Sequence, residues 1–176
     1  MGYGLLLLGY ASTINAYPQN WMTAVPVVGA ILCCIGLWRG GRYELFYRIG
    51  FYAAIALGLL DVINFMLAED LAGKVFSNID ALTNFYTVAH MIVYLLFNLC
   101  VLIGIIHQAK VCELPAIGQH AKLALALLGI FFVLNVIGAV TGANEMYLRI
   151  TLYTGLAFYL LTLAAVFRCF NRMKLS

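Results

Sequence analysis

From Met1 to Trp38 the chain carries no charged side chain, and four further apolar runs follow before its end at residue 176. A helix of about 20 apolar residues rises roughly 30 Å, the thickness of the hydrocarbon layer of a bilayer. The runs are continuous and rich in Leu, Ala and Ile. Strands of an outer-membrane barrel would instead alternate apolar and polar residues with period two. Helices are therefore expected, because in lipid every backbone N–H and C=O must find its partner within the segment. Composition agrees: 65% of the residues are hydrophobic and 10% charged, against about 25% charged in an ordinary soluble domain. The expected fold class is all-α, a polytopic transmembrane helical bundle, with residues 1–176 forming a single transmembrane domain.

The charge-free opening is too long for one helix. Its middle, Tyr17-Pro18-Gln19-Asn20-Trp21, reads as an interfacial turn with aromatic anchors. Two short spans are predicted on either side, Gly2 to Ala16 and Thr23 to Trp38, with Pro26 in the first turn of the second and Thr23 as its N-cap. The third span is placed at Phe46 to Leu67. The fourth runs from Ala81 to Ile106, preceded by the helix-start box Ser77-Asn78-Ile79-Asp80. The fifth covers Lys122 to Thr141, with an extension from Pro115, and the sixth Ile150 to Phe167. Six helices result, or five crossings if the short first helix does not span. A cleaved signal peptide would want a basic leading region and a longer apolar core than Leu5 to Leu8, so none is expected.

Lys and Arg set the orientation. Arg39, Arg42, Arg48, Lys110, Lys122, Arg168, Arg172 and Lys174 fall on one side, and only Lys74 and Arg149 on the other, where Glu69, Asp70, Asp80 and Glu145 collect. The positive-inside bias places both termini in the cytoplasm and the loop from Glu69 to Asp80 outside, in what is expected to be the plasma membrane. Cys33, Cys34, Cys100, Cys112 and Cys169 then all lie toward the inner side, where thiols stay reduced. The net charge of +3 reports this topology and is no sign of nucleic-acid binding.

Two ionisable side chains interrupt the hydrocarbon segments. Asp61 in the third span and His90 in the fourth each cost from about 2.5 kcal/mol upward unless paired or hydrated. If these spans form an antiparallel hairpin centred near Val75, positions summing to about 151 share a depth, so Asp61 faces His90 and Asn64 faces Thr87. Thr87, His90, Tyr94 and Asn98 follow at spacings of 3, 4 and 4 on one helix face. Gly50, Ala54 and Gly58 form a small-residue stripe leading to Asp61. A buried pair that fixes helix register is one reading, and a ligand-binding or proton-accepting pair is the other.

Uncharged polar residues extend the pattern. Ser12, Thr13, Asn15, Asn135, Thr141, Thr151 and Thr154 lie toward the outer helix ends, whereas the inner halves hold little beyond Asn98 and Thr162. An outward-facing pocket is expected, lined by Asp61, Asn64, Thr87, His90, Tyr94 and Asn135, with Asn15 and Thr154 contributing. The plain alternative is that helix ends near an interface are polar anyway. Tyr17, Trp21, Trp38, Tyr43 and Tyr47 read as interfacial belts. Gly138 and Gly142 form a G-x-x-x-G at a helix end, where Gly142 also suits a C-cap. His107, Cys112 and His120 meet no metal-ligand spacing, and no metal or other cofactor is expected.

No P-loop, H-E-x-x-H, G-x-S-x-G or C-x-x-C-H signature occurs. Three functions fit what remains. One is binding or transport of a small polar solute through the outer pocket. The second is a structural or regulatory subunit whose small-residue stripes contact another membrane protein. The third is an intramembrane enzyme using Asp61 and His90 as acid and base. In size and in six crossings with both ends inside, the chain resembles the substrate-binding subunits of energy-coupling-factor vitamin transporters, which implies the first. It lacks the alanine-rich A-x-x-x-A first helix typical of them.

Overall fold

The computed structural model describes residues 3–12, 25–42, 44–68, 79–141 and 144–172. These form six α-helices and no strand: α1 (Tyr3–Ser12), α2 (Val25–Gly40), α3 (Leu45–Ala68), α4 (Ile79–Val111), α5 (Pro115–Thr141) and α6 (Glu145–Arg172). Four helices contain stretches long and apolar enough to cross a bilayer, Leu45–Leu67, Ala81–Val111, Pro115–Gly138 and Glu145–Cys169. The 16 residues of α2 rise only about 24 Å. The proposed turn at Tyr17 to Trp21, the Thr23 cap, Ser77 and Asn78 of the helix-start box, Asn15 and Gly142 lie outside the described residues.

The chain divides into two compact units, Met1–Cys100 and Val101–Ser176. In the first, α2 buries Pro26, Gly29, Ala30, Cys33, Gly36, Leu37 and Gly40, a repeat of three and four that places them on one face. Helix α1 reaches that face at Gly9. A Cβ built there would lie 2.5 Å from the Cys33 backbone nitrogen and 2.6 Å from the Gly29 carbonyl oxygen, so only a glycine allows the two backbones this close. The Cys33 thiol donates to the Leu6 carbonyl at 3.9 Å across the same contact. The small-residue stripe of α3 packs against α2 as well: a Cβ at Gly58 would meet Ala30 at 3.1 Å, and one at Gly50 would meet Leu37 at 3.6 Å and Cys100 of α4 at 3.2 Å.

One aromatic assignment is corrected. Tyr47, expected in an interfacial belt, is 1% exposed. Its ring covers Gly40, where an added Cβ would stand 2.9 Å from Cδ2. The turn between α2 and α3 folds α3 back, which lays the Tyr47 side of its first turn on α2 while Leu45 and Arg48 stay exposed. Trp38 does remain exposed.

In the second unit, α4 ends at a turn in which Glu113 adopts φ 56°. The Leu114 amide donates to the Ala109 carbonyl at 2.8 Å, and Pro115 opens α5 at the position where a missing N–H costs least. The predicted extension from Pro115 is thus the first part of one continuous helix. Helix α6 begins at Glu145, five residues before the span read from hydropathy. The Asn144 side chain accepts from the Tyr147 amide at 2.8 Å, a capping interaction, and Arg149 pairs with Glu145 at 2.5 Å one turn on. A Cβ at Gly138 would stand 2.9 Å from Tyr147 Cε1, and the Tyr147 hydroxyl donates to the Leu134 carbonyl. This half of the G-x-x-x-G is therefore occupied by the chain's own α6. Gly155 is closed in the same way by Phe131.

Candidate functional site

Asp61 lies near the end of α3 and faces α4, with its Oδ1 3.7 Å from His90 Nε2. This is longer than a direct hydrogen bond and within ion-pair range. The carboxylate side chain is 7% exposed and the imidazole 33% exposed, so the acid sits behind and the imidazole in front. The hairpin arithmetic, based on nothing but depth, identified these partners. Asn64 is half-buried. No hydrogen bond joins it to Thr87, whose exposed hydroxyl donates instead to the Thr83 carbonyl at 2.9 Å.

His90 is also held from its own helix. The Tyr86 ring lies 5.3 Å away, centroid to centroid, and Tyr94 stacks on the other side at 6.0 Å with 15° between planes. Tyr86, His90, Tyr94 and Asn98 are spaced by four, and the row ends in a fully buried polar contact. The Asn98 amide nitrogen donates to the Tyr94 carbonyl at 2.8 Å, and its oxygen accepts from the Tyr10 hydroxyl of α1 at 2.6 Å. Tyr10 and Asn98 are both 0% exposed. A polar row thus runs along α4 from the half-exposed imidazole to a closed end against α1. Its lower end is satisfied internally, as a buried polar pair in an apolar surround must be.

The carboxylate accepts only, so its partner is a hydrogen carried on the ring nitrogen that faces it. With Nε2 turned toward Asp61, Nδ1 is the ring nitrogen left to meet another molecule, and no hydrogen bond to it is made among the described residues. Two tyrosine rings fix the plane of the imidazole. The arrangement can hold a small polar group at His90 Nδ1, or take and return a proton there, with the charge balanced by Asp61.

Tyr94 is the one aromatic residue of the predicted pocket that the fold brings to His90. Of the other candidates, Thr87, Asn135 and Thr154 are satisfied locally. In the second unit the Asn135 amide donates to the Phe131 carbonyl at 2.7 Å, and the Thr154 hydroxyl donates to the Ile150 carbonyl at 2.8 Å. Thr141 and Thr162 bond back one turn in the same way. This is how lone hydroxyls and amides are accommodated in helices, and none of these four requires a ligand. Thr151 differs, since its buried hydroxyl has no partner among the described residues.

Sequence reasoning passed over Tyr86 and Tyr10. Tyr86 was legible, because it continues the four-residue row through His90, Tyr94 and Asn98. Tyr10 carried no signal, since nothing local distinguishes it from other tyrosines of the uncharged opening. His120, weighed with His107 and Cys112, is engaged by Arg168 instead, whose Nη1 lies 2.9 Å from Nε2. Compared with protein-family models, with curated proteins and with solved structures, the chain matches none.

Proposed function

We propose that this integral membrane protein binds a small polar solute at His90, with Asp61 balancing charge behind the imidazole, as a receptor or carrier open to the outer side. The observation that carries the proposal is the exposure asymmetry of the pair: a nearly buried carboxylate beneath a one-third exposed imidazole. An ionisable pair at this depth is expensive. Full burial of both members would add desolvation cost that their attraction repays only with further hydrogen bonds, and a binding pair needs one reachable atom. The site takes in Asp61, His90 and Tyr94 from the expected lining and adds Tyr86. Asn64 and Thr87 of the expected lining belong to the same two helices, whereas Asn135 and Thr154 belong to the second unit and Asn15 lies outside the described residues.

Native mass spectrometry of the detergent-purified protein tests binding. The expected result is a small-molecule adduct that disappears in His90→Ala and in Asp61→Asn. Recovery of the unmodified protein bound to another membrane subunit, with no adduct, would remove the proposal in favour of a structural or regulatory subunit. That second reading is supported by the locally satisfied Thr87, Asn135 and Thr154, which need no solute.

Outward opening, with both termini cytoplasmic, is supported by the eight-to-two distribution of Lys and Arg. In a Cys-free background, His90→Cys is expected to react in intact cells with an impermeant maleimide, and Ser176→Cys only after lysis. Labelling of Ser176→Cys in intact cells would reverse the topology.

A further inference from the structure

The turn between α2 and α3 forms a cleft that the polar row of α4 does not touch. Its volume is about 310 Å³, and it is lined by Trp38, Arg42, Arg48, Phe51 and Tyr52 beside Gly41. We propose that this cleft holds the phosphate headgroup of an anionic phospholipid, with one acyl chain lying along α3. The proposal is independent of the solute reading at His90.

The turn is constructed so that two guanidinium groups share one opening. The Gly41 amide donates to the Leu37 carbonyl at 2.6 Å, and the Glu44 amide to the Gly40 carbonyl at 3.2 Å. A Cβ at Gly41 would stand 3.2 Å from both the nitrogen and the Cα of Arg48. The chain therefore passes Arg48 at backbone contact one residue before it presents Arg42. Both arginines are exposed, and neither has a carboxylate within ion-pair distance among the described residues. The first turn of α3 carries no acid, and Glu44, directly before it, is buried and not within ion-pair distance of either arginine. Two unneutralised cations beside a helix start call for an anion, and an arginine fork matches phosphate oxygens in geometry as well as charge.

The walls select a lipid over a soluble anion. Trp38 is 56% exposed and Tyr52 62% exposed, with Phe51 between them at 5.2 Å and 5.3 Å, centroid to centroid. Aromatic rings beneath cationic side chains are the usual furniture of the headgroup level. From Tyr52 an exposed stripe continues down α3 through Ile55 and Leu59, at spacings of 3 and 4 on one face. A free phosphate would use the arginines and leave these rings and this stripe idle. A phospholipid uses all three, and basic pockets at the membrane surface hold anionic headgroups for the same reason.

Trp38 is a built-in reporter. The chain has two tryptophans, so Trp21→Phe leaves Trp38 alone. Its quenching is measured in detergent micelles with chain-brominated phosphatidylglycerol and with chain-brominated phosphatidylcholine. Each arginine is expected to favour the anionic lipid about fivefold, the pair about 25-fold, declining with added salt. Arg42→Gln with Arg48→Gln is expected to equalise the two lipids, and Lys110→Gln with Lys122→Gln, which removes the same charge elsewhere, to leave the preference intact. Equal quenching in the Trp21→Phe protein itself overturns the proposal without reference to any charge variant. So does loss of the preference on removing the two lysines, or its persistence without the two arginines. Displacement by millimolar inorganic phosphate at constant ionic strength would make the ligand a soluble anion and reject the lipid.

Discussion

Replacing Asp61 with alanine is expected to lower the stability of the detergent-solubilised protein by about 3 kcal/mol. The carboxylate is 7% exposed and has His90 at 3.7 Å. Removing it leaves an ionisable ring in an apolar surround with no countercharge, and truncating one member of a buried pair costs roughly 3 to 5 kcal/mol. The lower end applies, because a third of the imidazole remains exposed. Asp61→Asn keeps shape and a hydrogen-bond acceptor and should lose less. The informative variant is Asp61→Leu combined with His90→Phe. Replacing both members with apolar groups removes the desolvation cost together with the attraction, so most of the loss is expected to return. Reversible unfolding of the four proteins of the cycle measures the coupling. A double variant as unstable as the sum of the singles would mean that Asp61 and His90 do not act on each other.

Gly9→Leu is expected to separate α1 from α2 and to cost about 3 kcal/mol or more. The obstacle is backbone, not a side chain that can turn away. A Cβ at position 9 would stand 2.5 Å from the Cys33 nitrogen, 2.6 Å from the Gly29 oxygen and 2.8 Å from the Cys33 sulfur. Even Gly9→Ala must move a helix. Tyr10 goes with it, and the buried Asn98 loses the hydroxyl it meets at 2.6 Å. Gly129 of α5 is the control, since an added Cβ there meets nothing within 4 Å. Gly129→Ala should be neutral or stabilise by about 0.5 to 1 kcal/mol through backbone entropy. Thermal unfolding of the two alanine variants tests the contrast. Equal effects would show that the α1 and α2 backbones are not in close contact.

The linear order of residues determined the class of fold and the identity of the helices. Continuous apolar runs admit one solution in lipid, because backbone groups without water must pair within the segment. Helix ends were less legible. Helix α6 starts at Asn144's cap and carries Arg149 inside it, since a capped, charge-paired first turn extends a helix beyond its hydrocarbon stretch. The Asp61 and His90 pairing was legible too, as depth along two antiparallel helices follows from a rise per residue. Depth says nothing of rotation about the helix axis, and there the tertiary structure decided. It left Asn64 and Thr87 without a bond to each other and brought Tyr10 to Asn98 from 88 residues away. It also buried Tyr47, whose place near a predicted span end reads as interfacial. The physical reason is the same in each case: hydropathy measures transfer of a residue into lipid, while the neighbours it meets depend on how closely two backbones approach. Here that approach is set by glycines such as Gly9, whose missing side chains have meaning only once the opposing helix is in place.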